Sequence, residues 1–112
     1  MGLRLDGCEI VVARGRITVD APQLGARYEV YGNAPVQGFG AVSAREIYFR
    51  ARHDGWSFEV ADHQGRLPSD GFRDSDGFHL QGAYANASWM PVEKAVRIID
   101  ECLRQYVSRA PR

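Results

Sequence analysis

One stretch near the end of the chain has the periodicity of an amphipathic helix, and it constrains the fold more than any other feature. Apolar side chains recur there at steps of three and four residues, at Val92, Ala95, Val96, Ile99, Cys102, Leu103 and Tyr106. Pro91 suits the first turn of a helix because its missing N–H would be unpaired there. One apolar stripe must be buried against another element. We therefore predict a single helix over residues 91–108 that packs on a sheet.

The rest of the chain carries short runs in which apolar and polar residues alternate, and turn-forming residues separate these runs. This pattern is typical of antiparallel strands with one buried face. Arg14-Gly15 and Asp54-Gly55 are suited to hairpin turns, since glycine readily adopts positive φ. The alternation predicts five to six strands, at about residues 8–13, 16–20, 26–32, 42–53, 56–62 and 77–84.

The two hairpins allow the register to be predicted, because a one-residue slip would turn every side chain to the opposite face. In the first hairpin, Val12 should face Ile17 and Ile10 should face Val19. In the second, His53 should face Trp56, which places Ala51 opposite Phe58 and Phe49 opposite Val60. The solvent face of that second hairpin should then pair Arg50 with Glu59 and Arg52 with Ser57.

Two segments lack the alternation. Residues 33–40 contain Asn33, Pro35, Gly38 and Gly40, and we predict a break in the sheet there. Residues 63–77 have no periodicity, and loops of this length in small domains tend to be functional or mobile.

Length and composition indicate one domain. A chain of 112 residues with 45% hydrophobic and 25% charged residues can form one hydrophobic core. We predict a single α+β domain over residues 1–112, an antiparallel meander sheet packed against one C-terminal amphipathic helix.

The charge balance argues against a partner bound by long-range electrostatics. Fourteen basic and fourteen acidic side chains cancel, which disfavours nucleic acid and anionic membranes as partners. The sequence contains no secretion signal and no apolar run of membrane-spanning length, so we expect a cytoplasmic protein. Cys8 and Cys102 are expected to be buried thiols.

No motif predicts a catalytic, metal or cofactor site. The run Asp74-Ser-Asp76-Gly77 resembles part of a calcium loop, but Phe72 and Ala83 occupy its first and twelfth ligand positions. The three histidines lack zinc-ligand spacing, and neither a nucleophile elbow nor a phosphate-binding loop is present.

The predicted function is therefore recognition of another protein by polar side chains. Tyrosine and arginine are enriched at interface hot spots, and clustered aspartates can steer a basic partner. We predict a contact surface made of the solvent face of the second hairpin and the loop over residues 66–76. The candidate residues are Tyr48, Arg50, Arg52, Glu59, Arg66, Asp70, Arg73, Asp74 and Asp76.

Two alternatives remain open. A small enzyme or ligand-binding domain would gather His53, His63 and His79 with aspartates around the 63–79 loop. A sheet surface that binds RNA or single strands would use Tyr48 with the arginines beside it, although Glu46 and Glu59 weaken this hypothesis.

The last part of the chain resembles a known group of families. Gly82-Ala-Tyr84, then Ser88-Trp89-Met-Pro91-Val-Glu93-Lys-Ala95 and the helix through Leu103, are similar to the tail of small bacterial immunity proteins of polymorphic and contact-dependent toxin systems. The resemblance covers about a quarter of the chain. It implies a cytoplasmic inhibitor that binds a cognate toxin domain, and it carries over no individual functional residue.

Overall fold

The computed structural model describes residues 2–5, 8–13, 15–32, 35–71, 73 and 75–109, and for residues 2–5, 8 and 13 it describes the backbone alone. Within these residues, eight antiparallel strands form one sheet in chain order. The strands are β1 (Gly2–Leu5), β2 (Cys8–Ala13), β3 (Arg16–Ala21), β4 (Ala26–Tyr31), β5 (Val36–Val42), β6 (Arg45–Arg52), β7 (Gly55–Val60) and β8 (Phe78–Ala83). One helix, α1 (Val92–Ser108), follows β8. The predicted meander with a C-terminal helix is confirmed, with more strands than expected.

The prediction of a break over residues 33–40 is wrong, because β5 begins at Val36. Asn33 and Ala34 lie outside the described residues. Two glycines let this strand sit close to its neighbours. A Cβ on Gly38 would lie 3.1 Å from Cδ1 of Ile99, and a Cβ on Gly40 would overlap the backbone of β4 at Tyr28. The glycines that resembled turn formers therefore serve close packing.

The predicted strand over residues 42–53 is interrupted by a turn. Val42 ends β5, and Arg45 begins β6. The two residues between them, Ser43 and Ala44, have φ values of 48° and 67°. Non-glycine residues seldom adopt this left-handed region, so the sequence carries no ordinary signal for the turn.

The two predicted registers had different outcomes. The first hairpin is confirmed, with Val12 opposite Ile17 and Ile10 opposite Val19. The second is displaced by two residues, so that Ala51 faces Trp56, Phe49 faces Phe58 and Arg50 faces Ser57. A shift of two leaves every side chain on its expected face.

The segment after β8 explains the displaced register, since it holds His53 and Asp54 in the turn. Tyr84 N–H donates to the Asp54 carbonyl at 3.0 Å, and Ala87 N–H donates to the His53 carbonyl at 2.6 Å. His53 N–H in turn donates to Oγ of Ser88 at 3.1 Å. His53 has a φ of 60°. It is therefore an exposed turn residue, and its predicted place on the apolar hairpin face is wrong.

The helix covers one side of the sheet, which we call the inner face. Ile99 and Leu103 of α1 are almost fully buried, at 1% and 0% exposure. They pack in one core with inward side chains of the central strands, including Val30 and Phe49. Burying side chains of this size contributes roughly 1.5–3 kcal/mol each before the entropy of ordering is subtracted. The opposite side, the outer face, carries the side chains of intervening positions.

Within the described residues, α1 is too short and too polar to cross a membrane.

Candidate functional site

Three aromatic side chains lie in contact across the outer face, and we call them the aromatic row: Tyr31, Phe39 and Tyr48. The ring centroids of Tyr31 and Phe39 are 6.2 Å apart, and those of Phe39 and Tyr48 are 5.3 Å apart. Phe39 and Tyr48 are direct cross-strand partners on β5 and β6. In the described part of the chain, no helix covers these rings, and Phe39 remains 42% exposed. The row forms a continuous aromatic strip across β4, β5 and β6 on the outer face.

Polar contacts hold one end of the aromatic row in place. The Tyr31 hydroxyl donates to Oε1 of Glu29 at 2.6 Å. The same carboxylate oxygen lies 4.0 Å from Nη1 of Arg16. Glu29 is the cross-strand partner of Phe39, so the Glu29 carboxylate lies among the side chains of the aromatic row.

Beside the row lies a shallow depression of about 640 Å³, which we call the Arg depression. It occupies the turn end of β6, β7 and β8. Its lining consists of Arg50, Arg52, His53, Asp54, Gly55, Trp56, Ser57, Gln81, Gly82 and Ala83. Arg50 faces Ser57, and Ser57 faces Gln81 along one row of the sheet. The Nε atom of Arg50 is buried and has no hydrogen-bond partner among the residues that the structure describes.

The structure brings together three of the predicted residues, Tyr48, Arg50 and Arg52, on the outer face of β6. It places Glu59 differently. Glu59 was predicted to be exposed and paired with Arg50, yet its side chain is only 4% exposed and its cross-strand partner is Tyr48. Its Oε1 accepts the Ser69 N–H at 2.8 Å, so the long loop covers it. Glu59 anchors the loop and is not available to a partner.

Other carboxylates also hold the loop. Asp62 is buried, and it accepts the N–H groups of Gln64 and Arg66 at 2.9 and 2.8 Å and the Arg66 Nε at 2.8 Å. Burial opposes ionisation of Asp62, but the hydrogen bonds from Arg66 and Gln64 prevail and lower its pKa to about 2. Arg66, predicted to contact a partner, is thus engaged within the loop.

Asp76 ties the far end of the loop to the sheet. Its Oδ1 accepts the His63 N–H at 2.8 Å and lies 3.0 Å from the His63 Nδ1. Its Oδ2 lies 3.3 Å from Nη1 of Arg45 on β6. These contacts hold the pKa of Asp76 well below its usual range, and the hydrogen bonds with His63 have the largest effect. The carboxylate remains about half exposed.

The remaining loop candidates differ in their surroundings. Oδ2 of Asp70 accepts the Leu67 N–H at 3.3 Å and closes the short 3-10 helix Pro68–Asp70. Arg73 is exposed. Asp74 lies outside the described residues. In its described residues the loop lies against β7 through the 3-10 helix Pro68–Asp70, and several of its polar groups bond within the protein.

The histidines of the enzyme hypothesis are dispersed. His53 lies in the β6–β7 turn, His63 pairs with Asp76, and His79 is exposed on the outer face of β8. Among the described residues, no group of three or more His, Cys, Asp or Glu side chains could hold a metal ion. Of the three, the Arg depression contains only His53.

The aromatic residues are what the sequence reasoning missed. Phe39 was assigned to a break and Tyr31 to the end of a strand, so neither was considered as a contact residue. Trp89, in the 3-10 helix Ala87–Trp89, is 73% exposed and is the most exposed large hydrophobic residue described. Strand assignment for residues 36–42 would have revealed the row, since Phe39 then falls opposite Tyr48.

A second cavity of about 410 Å³ separates β8 from α1, and Trp56, Leu80 and Ile98 supply its apolar wall. Cys102 borders this groove, and its thiol is buried. Burial, with a smaller effect of Glu101, raises the pKa of Cys102 to about 12. Such a thiol is a poor nucleophile.

Comparison of the chain with protein-family models, with curated proteins and with solved structures finds no match.

Proposed function

We propose that this chain is a non-enzymatic protein-binding module that recognises its partner with the outer face of the sheet. The aromatic row is the observation that carries this proposal. Tyr31 and Phe39 are exposed, Tyr48 is partly exposed, and the three rings contact one another to form an apolar patch. Contiguous exposed apolar patches mark interaction sites. Aromatic side chains and arginine contribute disproportionately to binding energy at interfaces.

The shape of the surface supports a protein as the partner. The aromatic row lies on three adjacent central strands and is bordered by Arg50 on one side and by the loop anchored at Glu59 on the other. An apolar centre with a polar rim is the usual arrangement of a protein interface. The exposed loop residues Asp70 and Arg73 would then contribute to the rim.

The partner that we propose is a toxin domain, with this chain as its cytoplasmic immunity protein. The support is the resemblance of the tail, from Gly82 through Pro91 into the helix. In the structure this tail runs from β8 through a short 3-10 helix and Pro91 into α1. The helix closes the core, which leaves the outer face free for an inhibitory contact.

A binding experiment tests the proposal. The chain would be co-expressed with each protein encoded by the genes next to its own, and complex formation and survival of the host cells would be measured. Replacing Phe39 with Ser and Tyr48 with Ala removes two rings of the row. We expect the dissociation constant to rise by about 30-fold or more, since hot-spot truncation costs about 2 kcal/mol or more.

Val11→Ser is the matched control. Val11 is also an exposed apolar residue on the outer face, at 43% exposure, but it lies on β2, away from the row. Its replacement should leave binding unchanged. Absence of any complex with the wild-type chain would contradict the proposed function, and equal binding by the aromatic-row variant would contradict the surface.

A further inference from the structure

Although the chain as a whole is neutral, the outer face is polarised. Its turn end, near the β6–β7 turn, carries three arginine side chains: Arg16, Arg50 and Arg52. The opposite end of the same face carries three carboxylates and one arginine, aligned across the sheet: Glu9, Asp20, Glu46 and Arg27. A partner that lies along this face therefore meets positive charge at one end.

Two of these arginines lack a polar partner within the described ranges of the chain. Arg16 is near Glu29, but in the described part of the molecule neither Arg50 nor Arg52 makes a hydrogen bond or ion pair. The buried Nε of Arg50 is the more informative observation, because a buried donor of a charged group is normally satisfied. Leaving it unpaired costs free energy, and because the Arg50 side chain as a whole is only partly buried, the rest of its guanidinium group remains open to an acceptor.

The positions of the two guanidinium groups suit one small anionic group. Arg50 and Arg52 are two residues apart on β6 and project from the same face, about 7 Å apart along the strand. Both line the Arg depression, where Ser57 and Gln81 add neutral hydrogen-bonding groups. Arginine binds carboxylates through two parallel hydrogen bonds, so a carboxylate suits these side chains better than a neutral group does.

We propose that the Arg depression binds an aspartate or glutamate side chain of an extended acidic segment in the protein partner. This proposal rests on the proposed function and names the chemistry of its partner. The acidic side chain would occupy the depression while an apolar residue nearby in the same segment packs on the aromatic row. An arginine-bound carboxylate beside an aromatic contact is a combination that gives both orientation and affinity.

Acidic side chains around the site favour a single carboxylate over a polyanion. Asp54 lines the depression, and Glu29 lies within the aromatic row. A nucleic-acid strand would bring a phosphate at every nucleotide and would place some of them against these carboxylates. The neutral total charge also removes the long-range attraction on which such strands depend.

The test uses the full chain labelled with ¹⁵N and four probes. They are the end-blocked pentapeptide Gly-Asp-Ser-Leu-Gly, its counterpart with Asn in place of Asp, an octamer of deoxythymidine, and inorganic phosphate. We expect the acidic peptide to shift the backbone amides around Arg50, Ser57 and Gln81 and the Nε–H signal of Arg50. The Asn peptide should shift them at least about tenfold more weakly, because its amide cannot form the charge-assisted pair.

Substitutions locate the effect. Arg50→Gln and Arg52→Gln should each weaken binding of the acidic peptide, whereas Arg27→Gln should not. Arg27 is an exposed arginine on the same face at its opposite end, so it controls for net charge. Arg50 is partly buried, so its replacement can alter folding. Arg52 is exposed, and its replacement tests the site without that effect.

Three results would overturn the proposal: equal binding of the Asn peptide, tighter binding of the octamer at these amides, or a response to phosphate alone, which would indicate an adventitious ion only. A toxin domain that binds the double variant of Arg50 and Arg52 as tightly as wild type would also overturn it, and the proposed function would stand. A chain that binds the acidic peptide but no toxin domain would retain the carboxylate site and lose the proposed function.

Discussion

The contact between Ile99 on α1 and Gly38 on β5 gives a quantitative test of how the helix is seated. Ile99 is 1% exposed, so Ile99→Ala should leave a cavity inside the core. Substitutions of this type cost about 2–5 kcal/mol, and we expect about 3–4 kcal/mol because the rigid sheet cannot collapse into the space. An unfolding entropy of about 2.1 cal/mol/K per residue makes this a fall in Tm of about 13–17 °C for 112 residues.

Gly38→Ala is the reciprocal change, because it adds a methyl group on β5 at the point where Ile99 of α1 contacts the sheet. A Cβ on Gly38 would lie 3.1 Å from Cδ1 of Ile99 and 3.3 Å from Cβ of Phe49, which is tighter than ordinary contact. Gly38→Ala alone should therefore destabilise the fold, by about 1 kcal/mol after the reduced entropy of the unfolded chain is included. With Ile99 already shortened to Ala, the added methyl should enter the cavity and stabilise the protein instead.

Urea unfolding of the wild type, both single variants and the double variant measures this coupling. We expect the double variant to be more stable than the sum of the single effects by about 1–2 kcal/mol. Val107→Ala on the same helix is the control. Val107 is 37% exposed, and its replacement should cost less than about 1 kcal/mol. Additive effects within about 0.5 kcal/mol would show that Gly38 and Ile99 do not share a packing site, and the seating of α1 would be refuted.

Two further predictions concern titratable groups. Because hydrogen bonds lower the pKa of Asp62 to about 2, its carboxylate stabilises the fold fully above about pH 4, and this contribution is lost as the pH falls towards 2. Asp62→Asn should therefore be less stable at pH 7 and show a flatter loss of stability between pH 4 and 2 in urea titrations; parallel curves for the two proteins would contradict the role of this carboxylate. In a Cys8→Ser background, the thiol of Cys102 should react with a disulfide reagent only as fast as the protein unfolds, since it is buried and its pKa is raised to about 12. Rapid reaction of the folded protein at pH 8 would indicate that the helix does not cover it.

The candidate surface combines residues that local pattern could identify with others that it could not. Tyr48, Arg50 and Arg52 were assigned to the outer face because strand alternation fixes which side chains share a side. The burial of Glu59 was not predictable, since it depends on Ser69 returning to the sheet ten residues later. The unpaired state of Arg50 has the same origin, because the displaced register places Ser57 opposite it instead of Glu59.

The resemblance of the tail to immunity proteins and the geometry of the sheet concern different parts of the molecule. The tail supplies the helix that covers the inner face, whereas the aromatic row and the Arg depression are on the outer face. The proposal of a toxin partner rests on the tail alone, and the proposed contact surface rests on the exposed rings and arginines.

Some elements of this fold have signals that are local in the chain. The apolar stripe from Ala95 to Leu103 repeats with the period of a helix, and the first hairpin alternates around Gly15, so α1 and the register of β2 with β3 could be predicted from neighbours in the chain. The tertiary structure alone decided the remaining features. The pattern around Gly38 predicts a turn, and only the position of Ile99 above it shows that this glycine allows close packing. The β6–β7 turn depends on hydrogen bonds from residues 84–88. The physical reason is that the local conformations open to such a segment differ little in energy, so close packing and hydrogen bonding with distant segments select among them. The sequence pattern within one segment does not indicate which distant segment will contact it.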